Sequence, residues 1–568
     1  MGVVWQDDLL IPSLTVRETI EFAAKLKTPS YLSSSIPQYV DEVIHDLGLA
    51  HIEHSLVGVS GGTPGFHKKT SDISAPKIMK NATSFLKNFV GMKSSAGRGI
   101  SGGERKRVSV AQELVTKPSL LFLDEPTSGL DATSALSLMK TLHSLAHQSG
   151  HSIVVVLHQP RTKIFDLLDG LLLLSRGEEV YSGHPNGARA VLESCPIIGY
   201  SLPDQTNVAD WIMDVIADDE KRSMEIYRVS LISKDDENSR DTGLILPKHW
   251  ASIKDKVVIK ESITTKNHLT HRLSSLTALQ TSVPRYSSTS SYQLRLLTTR
   301  SMKQRRGERI TSTAFLVSFA YLAFEVIFWF RLPNDTNHVF GRNSILFFLI
   351  IALSNGIVTA SVATFQQERA LLRRERSKKM YRMLPYYTAK TLSDMTVTTL
   401  LPMLNVLIAY WLINLRPTAK AFFTFLTIFY LLFSCAQSLG LLLSVAISNM
   451  QVALLVAPVL TLLMIVVGGF YIPLNNFPIW IRWIKYTSFA TYGYSALLIT
   501  EYRGRMIPCV NDVSVSIGSG ICPLPGEEVY KSIGVTGIIS HLWFDFLMLI
   551  LLQLLFRIGA YTLLRRSR

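Results

Sequence analysis

The chain has 568 residues, room for three or four average domains. Lys and Arg number 58 against 43 Asp and Glu, a formal net charge of +15, yet only 18% of residues are charged and the mean hydropathy is +0.23. Ordinary soluble proteins carry about 25% charged residues, so a wholly soluble or disordered chain is excluded. Residues 311–568 hold only ten of the 43 acids and nearly all the long apolar runs. A water-soluble first half joined to a membrane second half follows. Much of the basic excess flanks apolar spans, where it marks the cytosolic membrane face and not a nucleic-acid footprint. No Cys-x-x-Cys pair occurs among Cys195, Cys435, Cys509 and Cys522. The opening MGVVWQDDLLIPSLTV has no basic region followed by an apolar core, so no signal peptide is expected.

Three short passages carry the chemistry of the soluble half. In GRGISGGERKRVSVAQELV, Gly97 to Val115, a Ser and two Gly open a helical pattern with Val108, Ala111, Leu114 and Val115 on one face. Such a helix start presents free N–H groups to an anion, and glycine lets phosphate approach the backbone; an ordinary capped surface helix has the same pattern. LLFLDEP, Leu120 to Pro126, predicts a strand buried on both faces of a parallel sheet. Its two acids fall at the C-terminal edge, where open α/β sheets bind ligands. Asp124 there suits Mg²⁺, and Glu125 suits orienting or deprotonating an attacking water. SIVVVLHQP, Ser152 to Pro160, predicts a further buried strand, with His158 at the same edge, placed to meet a γ-phosphate or to serve structure alone.

In this order and spacing the passages resemble the nucleotide-binding domain of ABC transporters. SGGERKR resembles the signature motif, with Ser101, Gly102 and Gly103 as its nucleotide contacts, and LLFLDEP resembles Walker B with the catalytic glutamate Glu125. Ser128-Gly129-Leu130-Asp131 resembles the D-loop, which assigns Asp131 to the nucleotide site, and His158 resembles the switch histidine. Gln6 in VVWQDD matches the Q-loop glutamine, which touches Mg²⁺ and relays to the membrane domain. SGGERKR with DEPTSGLD and LHQPR points to the G subfamily of White-type half-transporters, and the resemblance covers almost the whole chain. It implies ATP and Mg²⁺ as ligands and a dimer in which each ATP lies between one subunit's P-loop and the other's signature.

That class needs a Gly-x-x-x-x-Gly-Lys-Ser/Thr loop whose backbone cradles the phosphates. No such pattern occurs; GGTPGFHKKTS, Gly61 to Ser71, lacks Gly-Lys at the required offset and follows the Q-loop. The expectation is a start inside the domain, the alternative being a genuine short subunit. Residues 59–96 are a second departure: 38 residues with six Lys and one Asp stand where the family passes quickly to the signature. A membrane-touching regulatory insert and unspliced intron sequence both account for them.

The soluble domain is thus expected over residues 1–217, as a partial α/β nucleotide-binding domain of the P-loop NTPase type. A poorly ordered Ser-, Thr- and Lys-rich linker is expected over 218–291. YQLRLLTTRSMKQRRGER, 292–309, mixes apolar residues with six Arg or Lys and predicts an amphipathic connecting helix on the inner membrane face.

An all-α transmembrane domain is expected over 310–568. Six spans, near 313–331, 344–365, 391–413, 421–447, 452–472 and 538–560, approach the ~20 residues that cross the hydrocarbon core. Basic residues before the first span, between 369 and 382, and at 565–568 place both termini in the cytosol. The loop 367–390 then faces inward, with Glu368 and Glu375 as candidates for coupling salt bridges or for a solvated charge cluster. The segment 473–537 is expected outside, where Cys509 and Cys522 meet an oxidising compartment and are candidates for a disulfide; CPLPGEEVY resembles the external loop of the G subfamily and supports that pairing. Asn334 in Asn-Asp-Thr is a candidate glycan acceptor. Glu325 lies mid-span, where pairing with a polar group on another helix is expected, and Asp545 is placed nearer an interface. From the family, Asn355 and Thr461 are candidates for a substrate cavity, with Phe470 and Tyr471 as an apolar plug at its outer end.

The function that follows is ATP-dependent export of lipid-like or amphipathic compounds by a homo- or heterodimeric half-transporter in the plasma membrane. A catalytically silent partner subunit, regulating an intact half-transporter, is the alternative.

Overall fold

The computed structural model describes residues 1–28, 34–58, 99–195, 201–203, 206–233, 244–254, 286, 288–309, 312–508 and 523–566. The insertion at 59–96 and the pair Cys509–Cys522 lie outside the described residues. The chain divides into two units, the first made of Met1–Leu10, Thr15–Ser60 and Gly99–Ser287 and the second chiefly of Ser288–Arg568.

In the first unit, β1 (Gly2–Val4), β2 (Leu120–Asp124) and β3 (Ser152–Val156) form a parallel sheet in that order. Helices α1 (Val16–Lys27), α2 (Ile36–Asp46), α3 (Gly102–Leu114) and α4 (Ala132–Ser149) accompany it. Burial in β2 alternates: Leu121 and Leu123 are enclosed, while Leu120, Phe122 and Asp124 are half-buried. In β3, Val154 and Val156 are 45% and 57% exposed. The expectation of strands buried on both faces is therefore corrected. A run of apolar residues marks what a strand is able to bury, and among the described residues one face of β3 has nothing over it. That face opens on a cleft of about 620 Å³ shared with β4 (Leu171–Ser175), whose Leu172 and Leu174 are also exposed.

β4 pairs antiparallel with β5 (Glu178–Gly183), followed by α5 (Pro185–Glu193) and α6 (Val208–Ser233). The structure differs from the expected 218–291 linker at its two longer described stretches. α6 runs through residue 218 without a break, and residues 245–254 are helical. Asp219, buried in α6, accepts from the backbone N–H groups of Ile245 (3.0 Å) and Leu246 (3.2 Å), and Trp250 fills a core with Tyr181, Val191 and Ile212. Polar composition hid this, because a few large apolar residues suffice to dock a short helix.

The second unit is helical: α7 (Ser290–Arg309), α8 (Ser312–Trp329), α9 (Val339–Ser377), α10 (Met383–Ile413), α11 (Ala419–Ala446), α12 (Met450–Val466), α13 (Phe489–Tyr502), α14 (Gly526–Ser532) and α15 (Leu542–Arg566). Four stretches, Thr336–Ser377, Met383–Ile413, Ala419–Ala446 and Leu542–Arg566, are long and apolar enough to cross a membrane, and Ala314–Trp329 and Met450–Val466 are shorter apolar helices. Central α11 packs on α9 and α15. At Gly440 the approach to α9 leaves no room for a side chain, since a Cβ would lie 2.7 Å from the Val358 carbonyl oxygen.

Three expectations are corrected here. The segment 473–537 is not simply an external loop: α13 within it is almost wholly buried among α9, α11 and α15. Its 14 residues are too few for a span, so a hydropathy window passes over it. The loop 367–390 is mostly helix, with only 378–382 linking α9 to α10. The connecting helix buries its polar stripe instead of an apolar one. Gln293, Leu297, Arg300, Ser301, Gln304 and Arg305 recur at helical spacing and are buried, while Tyr292 and Leu294 are exposed. Glu375 and Glu368 on α9 and Asp394 on α10 draw Arg300 and Arg305 inward.

Candidate functional site

The nucleotide motifs converge where β2 ends. β1 delivers Gln6 beside Glu125, and the Gln6 amide Nε2 donates to the Glu125 carboxylate at 2.7 Å. Glu125 takes a left-handed backbone (φ 42°), and its N–H donates to the Val156 carbonyl at 3.1 Å, so the turn after β2 is pinned to β3. Gln159, beside His158, is also left-handed (φ 44°). Asp124 is half-buried, and its carboxylate has no hydrogen-bond or ion-pair partner among the described residues; His158 is exposed.

Ser101 caps α3. Its hydroxyl accepts from the Glu104 N–H at 3.4 Å, while the Ser101 N–H (2.7 Å) and hydroxyl (2.8 Å) donate to the Glu104 carboxylate, with His51 Nε2 3.2 Å from its other oxygen. Gly102 and Ser101 are exposed at the helix start, and a Cβ on Gly103 would come within 3.2 Å of Ser134 on α4. Asp131 caps α4, accepting from the N–H groups of Thr133 (3.1 Å) and Ser134 (3.0 Å).

Two basic residues missed by sequence reasoning hold this arrangement. Lys106, enclosed on α3, donates to the Gln6 carbonyl at 2.7 Å and pairs with Asp8 at 3.2 Å. Arg105 donates to the Gly58 carbonyl at 2.7 Å. The signature helix therefore fixes the Gln6 turn through its own charges. The clue in the sequence was the basic run ERKR within the signature passage.

Partial burial pushes the Glu104 carboxyl up, and the hydrogen bonds from Ser101, with His51, outweigh it and leave it below the ordinary value. Hydrogen bonds from Ser134 and Thr133 likewise lower Asp131. Both folded-state values lie below the unfolded ones, so their stabilisation is complete above the ordinary carboxylate range and is lost as pH falls through the depressed values. Thermal unfolding followed from pH 7 to pH 3 is expected to show a shallower acid loss in Glu104→Gln than in the parent; parallel profiles would contradict the assignment.

In the helical unit the candidate coupling acids sit in a buried ionic cluster. Arg300 donates twice to Glu375, at 2.6 and 3.0 Å, and the Tyr381 hydroxyl donates to the same carboxylate. Glu368 accepts from Gln304 (2.7 Å) and Arg305 (2.9 Å) and pairs with Lys390; Arg305 also pairs with Asp394 at 2.5 Å. These are not solvated charges.

The candidate cavity residues are placed less tellingly. Thr461 is buried and its hydroxyl returns to the Ala457 carbonyl at 2.7 Å, while the Asn355 Oδ1 is buried without a partner among the described residues. Phe470 stacks on Phe347 with ring centroids 4.5 Å apart, and Tyr471, largely exposed, meets Phe347 edge-on. Asn334 is half-buried in the turn between α8 and α9. Glu325 corrects the expectation of a polar partner on another helix, and Asp545, in the first turn of α15, shares its surroundings. Both are fully enclosed, and neither carboxylate has a hydrogen-bond partner among the described residues.

A parallel-sheet edge carrying Asp124, Glu125 and His158, beside a helix capped by Ser101, in a chain that continues into a helical membrane domain, is the arrangement of an ABC transporter. The family profile described as "ABC transporter" matches residues 1–128, and that described as "ABC-2 type transporter" matches residues 292–502. Among curated relatives, ABC transporter G family member 25 of Arabidopsis thaliana is 32% identical over 100% of this chain and 78% of its own length. ABC transporter G family member 1 of Dictyostelium discoideum is 30% identical, over 99% of this chain and 74% of its own. Protein white of Ceratitis capitata is 29% identical over the same shares, 99% and 74%. The chain belongs to the ABC transporter G family: it has the half-transporter arrangement of one nucleotide-binding domain and one membrane domain.

Proposed function

We propose that the chain is one half of a dimeric, ATP-dependent exporter of lipid-like or amphipathic compounds, with both termini cytosolic and the plasma membrane as its site. The observation that carries the nucleotide part is the contact of Gln6 with Glu125, next to Asp124, whose carboxylate has no partner among the described residues. Mg²⁺ takes oxygen ligands from one or two carboxylates and from phosphates. Asp124 and the Gln6 side-chain carbonyl, left open because the Gln6 NH₂ is spent on Glu125, suit it. When bound, Mg²⁺ would neutralise phosphate charge. Glu125 accepts the proton of the attacking water, and His158 hydrogen-bonds the terminal phosphate. Ser101, Gly102 and Gly103 close on nucleotide held by the opposite subunit, and Asp131 fixes the start of α4. Movement reaches the helices through the base of α9 around Glu368 and Glu375.

A second reading is favoured by one observation: these 568 residues contain no Gly-x-x-x-x-Gly-Lys-Ser/Thr cradle. They would then supply only a signature, acting as a silent partner of an intact half-transporter. One experiment separates the two. Purified alone, these 568 residues are expected to hydrolyse no ATP. In mixed dimers with a cradle-bearing half-transporter, Gly102→Asp is expected to lower ATPase activity by about 10²-fold or more. Glu125→Gln in this chain leaves that rate nearly unchanged if its own site lacks a cradle. An ATPase rate of the chain alone that is lost in Glu125→Gln would discard the silent-partner reading, and a mixed dimer indifferent to Gly102→Asp would discard both.

A further inference from the structure

The turn entering β4 meets α4 at a cluster that the nucleotide chemistry does not use. His143 and His147 stand four residues apart on one face of α4, with ring centroids 4.2 Å apart and planes inclined by 29°. Asp169, from the turn before β4, lies opposite them. One ligand atom from each of the three residues falls within 4.8 Å of the others.

The hydrogen bonding prepares His147 to coordinate. Its Nδ1 lies 3.0 Å from the His143 backbone carbonyl oxygen, which accepts only from a protonated ring nitrogen. The Nε2 lone pair is thereby left outward, the arrangement seen where histidine binds a metal and donates its second nitrogen to a carbonyl. That Nε2 lies 3.5 Å from the Asp169 Oδ1. This exceeds an ordinary N–H···O distance. It is close to the ~3.4 Å edge of a tetrahedron whose centre is ~2.05 Å from each corner, as in Zn²⁺ sites with His and Asp ligands.

We propose that His143, His147 and Asp169 bind one divalent transition metal of the Zn²⁺ class, with the fourth position open to water. Two imidazoles and one carboxylate select such a metal over Mg²⁺ or Ca²⁺, which prefer all-oxygen shells. The site is separate from the nucleotide residues. α4 begins just after Asp131, and His143 stands about 17 Å further along the helix axis at 1.5 Å per residue. Occupancy would tie the far half of the D-loop helix to the turn that leads into β4. His143 and Asp169 also line the cleft between β3 and β4, so the bound metal would brace one wall of it.

The test uses the full chain, purified in detergent without a polyhistidine tag and stripped with a chelator. Zn²⁺ alone is titrated by competition with a chromophoric chelator, and Co²⁺ alone serves as the spectroscopic probe. One Zn²⁺ per chain is expected, with a tetrahedral Co²⁺ visible spectrum and a Zn²⁺-dependent rise in the unfolding temperature. His147→Gln, His143→Gln and Asp169→Asn are each expected to weaken binding at least about tenfold. His54→Gln, an exposed histidine elsewhere, is expected to change nothing. The three ligands are partly or largely exposed, so their replacement leaves the fold intact, which the unfolding temperature without metal checks. The proposal is overturned if the parent takes up no stoichiometric Zn²⁺, or binds it no more tightly than the His143→Gln/His147→Gln double variant.

Discussion

Replacing Arg342 by alanine is expected to destabilise the helical unit by about 3–5 kcal/mol. Arg342 and Glu501 are 2% and 4% exposed and pair at 2.7 Å across 159 residues of sequence. The guanidinium also donates to the carbonyls of Pro333 (3.1 Å), Leu332 (2.8 Å) and Asn414 (3.1 Å), so one side chain joins the start of α9 to the ends of α8, α10 and α13. Glu501 accepts further from Arg505 (2.6 Å) and from the Arg416 N–H (3.0 Å). Alanine leaves three carbonyls without that donor and Glu501 short of a counter-charge, and an orphaned buried group bears its full desolvation cost. A double variant, Arg342→Met with Glu501→Gln, is expected to lose less than the two single changes added together. Thermal unfolding in detergent measures both. A shift for Arg342→Ala no larger than that for the exposed Arg189→Ala would sink the prediction.

Glu368→Gln is expected to act on transport more than on folding. Glu368 joins Arg305 and Gln304 of α7 to Lys390 of α10, and Arg305 and Lys390 are each only 2% exposed. The amide retains the size and accepts some of those hydrogen bonds, while Asp394 remains near both cations. The charge lost is one of three carboxylates, with Glu375 and Asp394, that bind the connecting helix to α9 and α10. In a working dimer, substrate moved per ATP hydrolysed is expected to fall several-fold while the ATPase rate holds. Equal losses of both would assign Glu368 a structural role alone. Arg300→Lys offers a milder companion, since lysine keeps the charge but not the two-point grip on Glu375.

Several elements were legible in the sequence because each is specified locally. The strand Leu120–Asp124 follows from four apolar residues ended by acids, and α3 from Ser101 and Glu104 at capping-box spacing before an apolar stripe. The apolar helices of the second unit follow from uninterrupted hydropathy. The meeting of Gln6 with Glu125 was legible only through the resemblance to the family, for nothing in either stretch names the other.

What the sequence by itself determined was where apolar surface must be hidden, hence a sheet-edged soluble half, a set of membrane helices and the capped signature turn. Tertiary structure alone decided which polar groups go inside: Lys106 under the Gln6 turn, Arg300 and Arg305 of α7 facing inward, Arg342 on Glu501, and α13 buried in a stretch that read as a loop. It also decided that Val154 and Val156 stay uncovered and that His143 and His147 meet Asp169. Burying an apolar residue is favourable against almost any neighbour, so the chain itself announces it. Burying a charge is tolerable only beside one particular partner, and that partner becomes known when the fold brings distant residues together.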